Sequence, residues 1–165
     1  RARGTASIAS SRFSGVRPTR SVPNTEIAYG NGIDISRGEG DLTLSVSSTE
    51  ILGYRNGISA FAFNTSVSDQ LELNVNIRSS AIYQNVEVGI RLGGLTNLVL
   101  NESQVVRNAG RGLELVLPDC TGGESSSLSF EGVIEGSNNS IHENSDGNIC
   151  PADYPLPEGF LVEGE

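Results

Sequence analysis

Apolar residues fall at every second position through much of this chain, and the alternation stops and restarts at recurring intervals. The runs LTLSV (42–46), LELNVNI (71–77), LTNLVL (95–100) and LSFEGVI (128–134) each precede a second, shorter alternating element. A period of two puts successive side chains on opposite faces of a strand. Val, Ile, Leu and Thr fill the runs while Gly and Asn punctuate them, so the pattern predicts short strands and turns and disfavours helix.

The second element is a repeat. Residues 80–92, SAIYQNVEVGIRL, match residues 103–115, SQVVRNAGRGLEL, without a gap at an offset of 23. Ser80 matches Ser103, Ile82 matches Val105, Asn85 matches Asn108, Gly89 matches Gly112, and the aliphatics that follow match as well. Looser copies occur at 25–35, 49–61 and 139–150, and the last of these contains Asn144. The key aliphatics Ile27, Ile51, Ile82, Val105 and Ile141 are 24, 31, 23 and 36 residues apart, a minimum of 23 with insertions added. Self-similarity at this period is the mark of a solenoid, in which each coil buries its apolar face against the next. Asn85, Asn108 and Asn144, with Gly89 and Gly112, read as the corner between two strands of one coil. The insertions at 61–70 and 116–127 leave from one edge, after the Gly-aliphatic-x-aliphatic element. RNAGRG (107–112) is not a phosphate loop, because strand rather than helix follows it.

The form aliphatic-x-x-Asn-x-x-x-Gly-aliphatic-x-aliphatic resembles the coils of right-handed parallel β-helices of the pectate-lyase-like superfamily, which include repeats of carbohydrate-binding proteins and sugar hydrolases. The resemblance implies an all-β, right-handed parallel β-helix of about five coils over residues 24–150. Residues 1–23 read as an N-terminal cap or a distorted first coil, since ASIASSRF (6–13) resembles LSVSSTEI (44–51). Residues 151–165, with three prolines, read as a C-terminal cap or linker. The superfamily's catalytic motifs, of the Asn-Thr-Asp, Gly-His-Gly, Arg-Ile-Lys and Asp-Pro-His-Glu kinds, have no counterpart here, so no catalytic residue carries over.

Charge narrows the partners. Of 165 residues, 20 are acidic and 11 basic, all of them Arg, for a net charge of −9. That balance opposes nucleic acid and anionic membranes, and no apolar run is long enough to span a bilayer. Met is absent, so the chain reads as a processed product or a segment of something longer. Cys120 and Cys150 lack zinc-site spacing and are expected to form a disulfide. Such a bond would add roughly 3 kcal/mol by chain entropy and point to an oxidising, extracellular or cell-surface location.

The candidate chemistry is sparse. Asp34, Ser59, Arg91, Glu114 and Asn148 are expected along one outward stripe, where Arg91 and Glu114 can pair across adjacent strands. Asp34 and Glu114 would lie roughly 14 Å apart at the stacking distance of strands, too far for paired glycosidase carboxylates. His142, Glu143 and Asp146 cluster without an evident pocket. Arg107 and Arg111 read as solvent-facing, with no assigned role. No cofactor is expected; calcium would find oxygen donors at 37–41 or 118–125, but EF-hand spacing is missing. Tyr29, Tyr54 and Tyr83 follow the key aliphatics by one to three residues and read as a weak sugar-stacking strip or as corner packing. The expected function is a non-catalytic extracellular module with a structural, adhesive or carbohydrate-binding role, meeting polysaccharide or a neighbouring surface protein. The alternative is a segment of a polysaccharide lyase or hydrolase whose catalytic coils lie outside this chain.

Overall fold

The computed structural model describes residues 3–15, 30–37, 41–63, 72–121 and 128–163. Each coil contributes three strands. The first coil holds β1 (Arg3–Ala9), β2 (Arg12–Ser14) and β3 (Ile33–Arg37); the second holds β4 (Asp41–Ser47), β5 (Glu50–Leu52) and β6 (Asn56–Ala62). The third holds β7 (Leu73–Arg78), β8 (Ala81–Tyr83) and β9 (Val88–Gly94); the fourth holds β10 (Thr96–Asn101), β11 (Gln104–Val106) and β12 (Leu113–Leu115). A four-residue helix α1 (Pro118–Thr121) lies in the insertion that follows. The fifth coil holds β13 (Ile134–Ser137), β14 (Asn139–His142) and β15 (Ile149–Cys150), and β16 (Phe160–Glu163) closes the series. Like strands stack into three all-parallel sheets, in the orders β1-β4-β7-β10-β13, β2-β5-β8-β11-β14-β16 and β3-β6-β9-β12-β15. The molecule is a parallel β-helix of five coils.

Side chains of one repeat position stack on themselves inside the coil. Phe13, Ile51, Ile82, Val105 and Ile141 occupy successive levels of the second sheet, and Val162 continues their register at the open end, where it is exposed. Ile33, Ile58, Ile90, Leu113 and Ile149 do so in the third. Ile51, Ile82, Val105 and Ile141 are wholly buried, and burial of an aliphatic of this size contributes roughly 1.5–3 kcal/mol.

The register differs from the sequence expectation at the N-terminus. Phe13 stands opposite Ile51, and Ile8 opposite Val46, as the match between ASIASSRF and LSVSSTEI suggests. The paired strands therefore begin at Arg3 rather than at residue 24, and Phe13 takes the level that the spacing assigned to Ile27, which lies outside the described residues. At the other end, Tyr154, Leu156 and Phe160 pack against the core, with the Tyr154 ring edge-on to Phe130 at 6.1 Å. Burial raises the Tyr154 phenol above its ordinary pKa.

Two corners bend by one device. Just before each bend, one residue takes a left-handed conformation. At the first corner these are Ser10, Ser48, Ser79, Glu102 and Asn138; at the second they are Gln84, Arg107 and Glu143, all with φ between 48° and 56°. The next residue carries a polar side chain that takes up the backbone groups freed by the bend. At the second corner the Asn108 Oδ1 accepts from Asn85 N and Nδ2 at 3.1 and 2.9 Å. The Asn144 Oδ1 accepts from Asn108 N and Nδ2 at 3.0 and 2.9 Å. Asn148 ends the column by accepting from Asn144, and Tyr54 begins it by donating its N–H to Asn85 Oδ1. At the first corner Thr49, Ser80, Ser103 and Asn139 do the same. Thr49 N donates to Ser80 Oγ, Ser80 N to Ser103 Oγ, and Ser103 N to Asn139 Oδ1.

The glycines serve the stacking rather than the bend. A Cβ on Gly89 would lie 2.5 Å from Val105 Cγ1 and 2.6 Å from Gly112 O, so adjacent coils approach too closely for any side chain there. Removing a buried ladder amide should be costly, because each orphaned donor or acceptor loses roughly 1–3 kcal/mol. Asn108→Ala is therefore expected to destabilise the protein by about 3 kcal/mol, read as a lower urea midpoint. Exposed Ser145→Ala in the same corner should leave the midpoint unchanged.

Candidate functional site

Six acidic side chains of the described coils meet an arginine from a neighbouring coil. Arg12 pairs with Glu50 at 3.2 Å, Arg55 with Glu87 at 2.8 Å, Arg78 with Glu102 at 3.3 Å, Arg91 with Glu114 at 2.8 Å and Arg107 with Glu143 at 2.6 Å. Arg3 reaches Asp41 at 3.9 Å. Each of the four coil-to-coil steps thus carries at least one pair. The Arg78 guanidinium, helped by the Ser79 hydroxyl, holds the Glu102 carboxyl below the usual carboxylate range, and Arg107 does the same for Glu143. The sequence reading leaves Arg107 and Arg111 without a role. Here both are engaged: Arg107 binds Glu143, while Arg111 Nη1 donates to Glu114 Oε2 at 2.8 Å and to Cys120 O at 2.9 Å.

Three of these groups converge on the outer face of the third sheet. The outward row there is Asp34, Ser59, Arg91, Glu114 and Cys150. Its last member is Cys150 rather than the expected Asn148, which is buried and caps the asparagine column. Glu114, only 8% exposed, sits between Arg91 and Arg111, and Arg91 lies over the Phe61 ring at 5.8 Å. Cys150, brought to this face by that register, forms a disulfide with Cys120, with Cα atoms 5.7 Å apart. The bond holds the start of the insertion, α1, against the fifth coil.

Between this row and the loops of the second-to-third corner runs a polar groove of about 420 Å³. Arg55, Glu87, Arg91, Arg111, Glu114 and Asp146 line it, with Val86 and Ala109 as apolar patches. A second cavity of about 470 Å³ shares Arg111 and Asp146 and continues past Gly147 and Ile149 to Val162. Cys120 borders the first cavity and Cys150 the second. A separate, smaller hollow of about 310 Å³ lies on the first sheet among Arg3, Thr5, Asp41, Thr43, Glu72 and Asn74.

The other sequence candidates are scattered. Tyr54 and Tyr83 do not share a register: Tyr83 stands opposite Leu52 on the second sheet and donates its hydroxyl to Glu50, while Tyr54 heads the asparagine column. Tyr29 lies outside the described residues. The cluster of His142, Glu143 and Asp146 divides. His142 Nδ1 is 3.5 Å from Glu143, whose carboxylate is held by Arg107, and Asp146 lines the groove. No group of three or more metal-ligating side chains forms among the described residues, and no helix there is long and apolar enough to cross a membrane.

No protein-family model matches the chain, and no curated protein matches it. Among solved structures it is similar to the periplasmic alginate epimerase AlgG, with a TM-score of 0.55 at 14% identity. The match covers 98% of this chain and 42% of the epimerase, so the chain spans less than half of that protein's length. At this identity the likeness carries the parallel β-helix fold and no residue role.

Two outcomes follow from this geometry. Replacing both cysteines by Ser should lower stability by roughly 3 kcal/mol and make residues near α1 more susceptible to protease, whereas reductant should not change the double variant. The depressed Glu102 and Glu143 carboxyls add stability that is present above the unfolded carboxylate pKa and is lost as pH falls through the lower folded values. An acid titration of the urea midpoint should therefore be shallower below about pH 4 for an Arg78→Gln, Arg107→Gln double variant than for the parent.

Proposed function

We propose that this chain is a non-catalytic β-helix module of an extracellular or periplasmic protein, and that it presents a surface to saccharide. The observation that carries this reading is the arginine clamp on its carboxylates. A general acid or base needs a carboxyl or imidazole free to exchange a proton within reach of the substrate. Glu50, Glu87, Glu102, Glu114 and Glu143 are each held by an arginine. The groove that collects such groups offers Asp146 without a second carboxylate at its side that is not already paired. A disulfide in the insertion fits an oxidising compartment. The similar solved structure is that of a periplasmic protein that acts on a polysaccharide.

A second reading is favoured by one observation, the coverage of only 42% of the epimerase by nearly the whole of this chain. On that reading the module is part of a longer polysaccharide-active enzyme whose reacting groups sit on other coils. Purified protein incubated with alginate, pectate and neutral glucans and mannans separates the two. The first reading expects saturable binding to at least one polysaccharide and no new reducing ends, unsaturated products or change in uronate epimer ratio. Turnover by this chain alone would overturn it.

A further inference from the structure

The groove on the third sheet holds a donor group, on Arg111, and acceptor groups, on Asp146 and at the buried Asn56 Oδ1, that the described residues leave unspent. Arg111 uses Nη1 for both its bonds, to Glu114 and to the Cys120 carbonyl. A guanidinium has five N–H donors, so the Nε and Nη2 hydrogens of Arg111 have no partner among the described residues. Its position is fixed all the same, since two bonds hold it against a buried carboxylate and a disulfide-tethered carbonyl. Asp146 is exposed and its carboxylate pairs with no side chain among the described residues. Both residues line both cavities, yet they form no ion pair with each other.

From this juxtaposition we propose that the groove is a binding site for a neutral, hydroxyl-rich oligosaccharide, with Arg111 and Asp146 bridged by a pair of adjacent sugar hydroxyls. Each hydroxyl of a vicinal diol donates one hydrogen bond and accepts others. A carboxylate that only accepts and a guanidinium that only donates are together the complement of such a pair. Val86 and Ala109 supply the apolar patch that a sugar's C–H face requires. The charge around the site selects against acidic sugars. Arg55 cancels Glu87, and Arg91 with Arg111 exceed Glu114 by one positive charge, which Asp146 cancels. A uronate would therefore lose its hydration without meeting a net positive field, and it would face an unpaired carboxylate. The first cavity is of ordinary ligand-pocket size, roughly 300–1,000 Å³, and the second, joined to it through the same two residues, takes a neighbouring sugar of the chain. The disulfide borders both halves and keeps the insertion wall in place.

This inference rests on the saccharide-binding reading above and adds to it the site and the sugar class. The test is calorimetric titration of the intact chain with neutral gluco-, manno- and galacto-oligosaccharides and, separately, with oligomers of mannuronate and galacturonate. Three proteins are compared: the parent, Asp146→Ala and Thr43→Ala, the last placed in the first-sheet hollow. Because Asp146 is exposed and makes no side-chain bond among the described residues, Asp146→Ala is expected to keep the parent's melting temperature. The expected result is binding of a neutral oligosaccharide that weakens at least tenfold in Asp146→Ala and is unchanged in Thr43→Ala. Loss of binding in Thr43→Ala with none in Asp146→Ala would overturn the site while leaving the saccharide reading intact. Binding of uronate oligomers alone would overturn the sugar class. No binding to either panel would overturn both the site and the reading beneath it.

Discussion

The fold depends on satisfying backbone groups at corners that bend toward the core. A parallel sheet pairs its N–H and C=O groups between coils, but a corner turns the backbone out of that ladder. Buried groups left open there would each cost free energy comparable to a lost hydrogen bond. Asn85, Asn108 and Asn144 are almost fully buried, and Asn108, in the middle, works in both axial directions. Its oxygen takes two donors from Asn85 in the coil before it, and its nitrogen reaches Asn144 in the coil after it and the Ile82 carbonyl of the coil before. A shorter hydroxyl could not reach in both directions. Ser80 and Ser103, at the other corner, receive one backbone N–H and send their own hydrogen to a carbonyl two residues back.

Once the corners fix the axial register, the outside of the coil inherits it. Stacked strands bring chemically like positions within about 4.8 Å, so a column of equal charges would be repulsive. In a chain with a net charge of −9, that repulsion is met by placing arginine and glutamate at neighbouring levels, as with Arg12 opposite Glu50 and Arg91 opposite Glu114. Exposed pairs of this kind are worth about 0–1 kcal/mol each, so they guard the register rather than create it. Arg91, Glu114 and Arg111 differ, because Glu114 is largely buried and its two arginines are about a quarter exposed. Burying one carboxylate without both partners would be strongly unfavourable, which is why these three groups are held as a rigid unit.

The strand pattern was legible wherever an inward aliphatic recurred at a fixed offset from an Asn and a Gly, as at 80–92 and 103–115. It failed where a connection separated the parts of a coil. Ile27 matched the local motif, yet Phe13, five residues after Ile8, held the level; the five-residue spacing was the better signal because it spans a corner whose geometry does not vary. The hydroxyl column was visible only as the match of Ser80 with Ser103, since Thr49 and Asn139 fill the same role with different side chains. The ion pairs were hidden for another reason. Partners such as Arg107 and Glu143 lie 36 residues apart, and they become neighbours only after the insertion between them is discounted. Arg111 was opaque for the same cause, as its second partner is the carbonyl of Cys120 within an insertion.

The position of the groove follows from these constraints. The hydroxyls of the first corner are committed to backbone bonding, and six outer carboxylates are committed to arginines. Side chains with spare hydrogen-bonding capacity collect beside the stacked strands where Cys120, at the start of the insertion after β12, is tethered. The register that sets Cys150 opposite Glu114 gives the tethering point. Tethering Cys120 in turn presents its carbonyl to Arg111, which orients a guanidinium that the sheet alone would leave mobile. Asp146 arrives from the next corner, one coil along the axis, through the same repeat that stacks Ser145 N on Asn108 O and Asp146 N on Gly110 O. A donor and an acceptor facing one cavity without touching are therefore a product of coil stacking combined with one cross-linked insertion.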